Sequence, residues 1–113
     1  IVEHNTVPDT WAEMDTSRLM NCMDTTDGVL KLFDHLKKTA LDIGFGEIEG
    51  FQVGGLSDSG ITVACGVPTV CGMGARGEGN HTPQEYAEVE SLFQRCILAA
   101  CAAYTLQDDF TKG

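Results

Sequence analysis

The chain has 113 residues, 42% of them hydrophobic, and carries 17 acidic against seven basic residues for a net charge of -10. At this length one compact domain fits, and folding buries only about two-thirds of the surface that the unfolded chain exposes. The pI near 4.4 excludes a nucleic-acid-binding class, because no basic stripe exists to neutralise phosphates. No apolar run approaches the ~18 residues that span a bilayer, and no signal-peptide pattern is present, so a soluble, cytoplasmic protein is predicted.

The cysteines are odd in number and include no Cys-x-x-Cys pair, and most have apolar neighbours in sequence. They are Cys22, Cys65, Cys71, Cys96 and Cys101. This pattern predicts reduced core residues. Cys65 and Cys71 flank an apolar Val-Pro-Thr-Val segment, and a nucleophilic role would need a base or a helix amino terminus nearby. The sequence shows neither neighbour, which favours packing.

The first elements are a strand and an amphipathic helix. Imperfect alternation predicts a strand at residues 10–18, and Pro8 confines its start to an edge or entry position. Thr25, Thr26 and Asp27 offer an amino cap for the helix, and Gly44 offers a carboxyl cap. The apolar positions at helical spacing are Val29, Leu32, Phe33, Leu36, Ala40 and Ile43, with Lys31, Asp34, Lys38 and Asp42 facing water. His35 lies among these charges and is predicted to be a solvated surface residue.

The middle of the chain predicts two further strands around a short helix. Residues 47–53 form the first strand and lead into Gly54-Gly55, where the backbone can approach another group closely. A helix at 59–65 follows, capped by Ser57 or Asp58, and its first-turn amides would favour an anion. A strand-to-helix turn that binds no anion is the commoner interpretation of such a segment. The second strand covers residues 67–71.

A glycine-rich loop over residues 72–83 ends in Asn80-His81-Thr82-Pro83 and makes His81 the best candidate for chemistry. Pro83 and the Thr82 hydroxyl are expected to stiffen the turn that follows the imidazole. A neutral imidazole held in this way is a natural metal ligand. A structural zinc site needs four protein ligands and a catalytic one about three, and the spacing here supplies no second ligand. His81 as a surface residue on a chain-turning loop is therefore the alternative.

The last element is a helix over roughly 89–106 with a polar face that includes Gln94, Arg95 and Gln107. Its predicted buried stripe is Val89, Leu92, Phe93, Cys96, Ile97, Ala100 and Tyr104. Helices and strands alternate along the chain, which indicates an α/β layer with short crossovers.

Three blocks occur in an order and spacing that resemble a known family. They are Gly54-Gly55-Leu56-Ser57-Asp58, Gly66-Val67-Pro68-Thr69 and Gly79-Asn80-His81-Thr82-Pro83-Gln84-Glu85-Tyr86. Together with the final helix they resemble, over about half the chain, the carboxyl-terminal part of zinc-dependent exopeptidases of the glutamate carboxypeptidase, acetylornithine deacetylase and succinyl-diaminopimelate desuccinylase group. The resemblance implies an α/β fold in which residues 1–53 are part of a lid (dimerisation) domain, and 54–113 the end of the catalytic domain.

The resemblance also assigns site residues. His81 matches a zinc ligand of the family, and Asn5, in Asn-Thr-Val-Pro, stands at the family's distance from Arg18. By resemblance these two residues hold the substrate carbonyl and terminal carboxylate, a role that suits the planar fork of arginine. The residues expected to line the substrate pocket are Gly54, Gly55 and Ser57.

The chain also departs from the family pattern. About half the lid is missing with its catalytic histidine, and so is the amino-terminal catalytic segment with the first metal-binding His, the bridging Asp, the Glu base and the other carboxylate ligands. The resemblance implies an intact homodimeric enzyme that uses two zinc ions to cleave an amide bond next to a free carboxylate, in a small peptide or N-acyl amino acid. This chain alone is expected to be inactive, and no catalytic residue is assigned within it.

Two alternatives stay open at this point. One is a non-catalytic self-association or partner-binding module derived from that family, and the other is a plain α/β domain in which His81 is a surface residue. A His-x-Asp motif and paired glutamates encoded upstream would favour the enzyme over the module.

Overall fold

A computed structural model of the chain describes residues 6–17 and 20–106. In chain order these hold α1 (Asp27–Asp42), α2 (Ser59–Ala64), β1 (Gly77–Glu78), β2 (Tyr86–Ala87) and α3 (Val89–Thr105). The strands pair antiparallel, with Gly77 opposite Ala87 and Glu78 opposite Tyr86, and α1 packs against α3. Within the described ranges, no helix is both long enough and apolar enough to cross a bilayer.

The ends of α1 are set by its own sequence, and the predicted helix is confirmed. Thr26 Oγ1 accepts a hydrogen bond from the Val29 N–H at 3.3 Å, which satisfies one of the free amides of the first turn. At the other end Gly44 adopts a φ of 73°, and the Phe45 N–H donates to the Ala40 carbonyl at 2.8 Å. This is the Schellman geometry in which glycine is favoured after the last helical turn.

The short helix α2 is confirmed as well, and one glycine explains where it lies. A Cβ on Gly60 would overlap the carbonyl oxygen of Asn21, so only glycine lets the segment before α1 cross this helix. The helix ends at Ala64, and beyond its cap Gly66 has a φ of 82° and the Val67 N–H donates to the Thr62 carbonyl at 3.0 Å.

The extent of α3 is confirmed, but the predicted buried face is wrong. The residues buried in α3 are Ser91, Leu98 and Ala102, whereas the predicted stripe is exposed: Val89, Leu92, Phe93, Cys96, Ile97, Ala100 and Tyr104. The reason is that α3 is apolar on two sides. The helical periodicity of the sequence predicts burial of the wider apolar face. In the structure α1 packs against the opposite, narrower face, which contains Leu98 and Ala102.

His35 is not the solvated surface residue that its charged neighbours suggested. The ring is half-buried between α1 and α3, and Nε2 lies 2.9 Å from the carbonyl oxygen of Ala102 and 3.4 Å from Thr105 Oγ1. His35 therefore joins the two helices near the end of α3. Lys31, Asp34, Lys38 and Asp42 are exposed, as expected.

None of the predicted strands is present in the described part of the chain, which corrects those three element assignments. Residues 10–17, 47–53 and 67–71 are irregular, and the strands that do form are two residues long and flank the His81 loop. Apolar alternation indicates that the two sides of an extended segment differ in polarity. A strand forms only where a second strand pairs with that segment through backbone hydrogen bonds. The α/β class and the division at residue 53 stay predictions.

The core is small for a chain of this length. Its buried apolar side chains are Val29, Leu36, Ala40, Val63, Leu98 and Ala102. The accessible surface is 9509 Å², against roughly 6,000 Å² for a compact monomer of 12.1 kDa. Of the five cysteines, four are exposed and Cys101 is half-buried, so their prediction as core residues is wrong. Much of the apolar surface is therefore left uncovered.

Candidate functional site

His81 lies in a tight turn in a backbone conformation that is unusual for histidine. The Thr82 N–H donates to the Gly79 carbonyl at 3.0 Å, which closes a four-residue turn with Asn80 and His81 at its centre. His81 has a φ of 65°, at the position where type II turns require a positive φ and normally place glycine or asparagine. Its side chain is exposed. The loop thus holds an accessible imidazole at a backbone position that costs a side-chain-bearing residue free energy.

The predicted stiffening of this turn by the Thr82 hydroxyl is confirmed. Thr82 Oγ1 donates to the Gly79 carbonyl at 2.7 Å and accepts from the Gln84 N–H at 3.2 Å. The Glu85 N–H donates to the Thr82 carbonyl at 3.1 Å, and the His81 N–H donates to Glu85 Oε2 at 3.4 Å. Hydrogen bonds therefore hold the chain on both sides of His81.

The base of the loop is attached to the start of α3. The Arg76 N–H donates to Ser91 Oγ at 2.8 Å, and the Glu88 N–H donates to the Arg76 carbonyl at 2.8 Å. An ion pair of 3.2 Å joins the Arg76 guanidinium to the Glu88 carboxylate. Gly77 has no room for a Cβ because the Tyr86 carbonyl lies against it. The His81 loop is thus the tip of a short hairpin whose base is anchored.

A second polar cluster forms where α2 begins. The hydroxyls of Ser57 and Ser59 are hydrogen bonded to each other, and Ser57 Oγ lies 3.5 Å from Cys71 Sγ. Hydrogen bonding by Ser57, and next by Ser59, lowers the pKa of the exposed Cys71 thiol, against a smaller opposing effect of desolvation. The thiolate of Cys71 is therefore favoured over that of an ordinary exposed cysteine.

Two threonines hold the segment of Cys71 against α2. Thr62 Oγ1 and Thr69 Oγ1 are 2.7 Å apart, and Thr69 Oγ1 also donates to the Val67 carbonyl at 2.9 Å. Earlier in the chain, the backbone of Gly54 and Gly55 is open, since a Cβ at either position would meet no atom within 4 Å. The two glycines expected to approach a substrate thus have free space next to them.

The described residues do not complete a zinc site. Among them no group of three or more His, Cys, Asp or Glu side chains is placed to hold a metal ion. A catalytic zinc needs about three protein ligands, and His81 supplies one imidazole with the Glu85 carboxylate bonded to its own backbone N–H. Any metal at His81 would need ligands from residues other than those described.

Of the predicted site residues, the structure describes Gly54, Gly55, Ser57 and His81, while Asn5 and Arg18 lie outside the described residues. Ser57 joins the cluster at α2, and no hydrogen bond or ion pair between described residues links that cluster to the His81 loop. Sequence reasoning missed the contact of Cys71 with Ser57, because the residues are 14 positions apart. The available signal was Ser57-Asp-Ser59 at a helix start, a place that can lower a thiol pKa.

Comparison of the chain with known protein families, with curated proteins and with solved structures found no match.

Proposed function

We propose that the chain is part of a zinc-dependent hydrolase that cleaves an amide bond next to a free carboxylate, and that His81 is one of its metal ligands. The proposal keeps the three sequence blocks as its starting point. The substrate class is a small peptide or an N-acyl amino acid, in a cytoplasmic homodimer associated through its lid. The chain alone is expected to be inactive, because by the resemblance the remaining ligands and the general base belong to segments that this chain does not contain.

The conformation of His81 is the observation that carries the proposal. A histidine with a φ of 65° at an exposed loop tip contributes nothing to a core, and glycine would occupy the position with less strain. Strained residues of this kind cluster at sites where the side chain has a task that stability does not explain. Histidine is the commonest metal ligand among the side chains, so metal ligation is the task that the proposal assigns to this accessible imidazole.

The open glycines support the substrate side of the proposal. Gly54 and Gly55 leave room for a bound molecule, and the half-buried Ser57 hydroxyl lies two residues further along the chain. Backbone amides and a hydroxyl in such a segment can donate hydrogen bonds to a carboxylate. In the proposed enzyme these residues bind and orient the substrate, whereas the chemical step depends on groups from elsewhere.

A second candidate is a self-association or partner-binding module, and the outward face of α3 favours it. Phe93 is 60% exposed, Ile97 57% and Tyr104 91%, on a face whose charged side chain is Glu90, one turn before Phe93. Contiguous exposed apolar patches on a soluble protein mark contact surfaces. The same face is expected on a portion of a larger enzyme, because the rest of that enzyme would cover it.

Zinc stoichiometry is the measurement that tests the proposal. Equilibrium dialysis at neutral pH is expected to give no tightly bound zinc for the 113-residue chain, and the longer encoded polypeptide is expected to bind zinc and to hydrolyse N-acyl amino acids. His81→Ala in that polypeptide should lose both zinc and activity, and His35→Gln serves as the histidine control. Retention of full zinc content and activity by His81→Ala would refute the assignment.

The sequence encoded upstream of the chain distinguishes the enzyme from the binding module. A few hundred upstream residues with a His-x-Asp motif and paired glutamates support the enzyme. If those residues are missing and the chain dimerises, the result supports the self-association module instead.

A further inference from the structure

One residue, through its backbone and its hydroxyl, makes most of the bonds that shape the turn around His81. Thr82 contributes its N–H and its hydroxyl to the Gly79 carbonyl, at 3.0 and 2.7 Å. Its hydroxyl oxygen accepts from Gln84 at 3.2 Å and its carbonyl accepts from Glu85 at 3.1 Å. The residue therefore closes the turn that precedes it and the turn that follows it, and the hydroxyl takes part in both.

His81 sits directly before Thr82 and has little freedom of its own. Its N–H is bonded to the Glu85 carboxylate at 3.4 Å, and its φ of 65° sets the direction in which Cβ leaves the backbone. Gly79 also has a positive φ, of 75°, and a Cβ there would lie 3.1 Å from the Gln84 carbonyl. The backbone before His81 thus lies close to the backbone after it, although the imidazole itself is exposed.

We infer that the Thr82 hydroxyl is the positioning group for His81: it holds the histidine backbone in the left-handed conformation and so aims the imidazole out of the loop. The role of that imidazole as a metal ligand rests on the proposed function. A ligand held in one direction before the metal binds loses less conformational entropy on binding, and the groups that orient ligands contribute to metal affinity.

Two variants at one position test this inference on the 113-residue chain without metal. Thr82→Val keeps the branched shape and removes the hydroxyl, whereas Thr82→Ser keeps the hydroxyl. The readout is the three-bond coupling between the His81 α proton and the carbonyl carbon of Asn80, which is large at the φ of 65° that His81 adopts and small at the negative φ values of ordinary residues. We expect Thr82→Val to move the coupling to the value of a flexible chain and Thr82→Ser to retain the wild-type value, with the urea midpoint of both close to wild type.

The control is Thr25→Val, which makes the same change at an exposed threonine before α1 and should leave the His81 coupling unchanged. Thr82→Ala removes the hydroxyl without a branched side chain and decides the result if the valine variant does not fold. An unchanged coupling in Thr82→Val and Thr82→Ala overturns the inference, and so does a loss of the coupling in Thr82→Ser.

The experiment is independent of the proposed function, because no metal is present and no activity is measured. A failed zinc assignment leaves the coupling result standing. Conversely, a Thr82 that does not hold His81 leaves open whether the imidazole binds zinc in a longer polypeptide.

Discussion

At the scale of single residues, the backbone conformation of His81 lowers the stability of the chain while the imidazole stays accessible. L-residues other than glycine lose about 1–2 kcal/mol in the left-handed region, because Cβ approaches the following carbonyl oxygen. Asn80, its neighbour in the same turn, is not among the described residues with a positive φ. Within this turn the strain is therefore confined to the histidine, which makes it measurable. Asp9, the other described non-glycine residue with a positive φ, lies far from the turn in sequence.

We predict that His81→Gly is more stable than His81→Ala by about 1 kcal/mol, since glycine adopts the positive φ without a Cβ contact. Urea unfolding of the two variants measures the difference. The matched control is the same pair at Asn80, where glycine should be no better than alanine because the φ is not positive. Equal stability of His81→Gly and His81→Ala would mean that the turn relaxes in solution.

Cys71 carries the second residue-scale prediction. Because hydrogen bonds from Ser57 and then Ser59 lower its pKa below the usual 9.0, Cys71 should be alkylated by iodoacetamide at a lower pH than Cys65, which is also exposed. A lowered pKa means that the reactive thiolate of Cys71 forms at a lower pH than the thiolate of an ordinary cysteine. Alkylation of Cys71 should therefore begin at a lower pH. Mass spectrometry of each cysteine peptide against pH measures this.

The control for Cys71 is Ser57→Ala, which removes the largest cause of the shift and should bring the pH profile of Cys71 towards that of Cys65. Identical profiles of the two cysteines in the unsubstituted chain would contradict the contact between Ser57 and Cys71.

At the scale of elements, helices could be read from the sequence and strands could not. The bounds of α1 depend on Thr26 and Gly44, whose capping bonds reach only a few residues along the chain. A strand needs a partner that is set by the fold, and two-residue strands such as β1 and β2 leave no periodic signal. Residues 47–53 have the composition of a strand, but no described segment pairs with them.

The crossing at α2 gives a prediction for this scale. Gly60→Ala should destabilise the chain by about 1–3 kcal/mol, because the added methyl overlaps the Asn21 carbonyl and the contact can be relieved only by moving the backbone. The matched control is Gly54→Ala, where a Cβ meets nothing within 4 Å. Denaturant unfolding compares them, and a Gly60→Ala as stable as Gly54→Ala would show that residues 20–23 do not cross α2 in solution.

At the scale of the whole molecule, the main feature is an α3 that is apolar on two sides but covered on one. Leu98 is fully buried against α1, whereas its neighbour Ile97 is 57% exposed on the other side. Exposed apolar residues on a helix face mark a contact surface, although α3 also carries Glu90, Gln94 and Arg95. The excess of accessible surface over that of a compact monomer agrees with this interpretation.

One pair of substitutions compares what the two faces of α3 contribute to the free energy of unfolding. Leu98→Ala should cost about 2–5 kcal/mol because it leaves a cavity between the helices. Ile97→Ala should cost less than about 0.5 kcal/mol in the monomeric chain, since the side chain is already in water. Urea unfolding at two protein concentrations measures both. A large cost for Ile97→Ala that grows with concentration would mean that the outward face is buried by self-association.

What the sequence determined by itself was local: the three helices, the caps of α1 and the exposed loop that ends in His81. These follow from contacts between residues close in the chain, such as Thr26 with Val29 or Thr82 with Gly79. The tertiary structure alone decided which side of α3 faces α1, that His35 lies between the helices, and that Ser57 contacts Cys71. Those outcomes depend on packing between distant segments, and a periodic pattern cannot say which of two apolar faces a neighbour will cover.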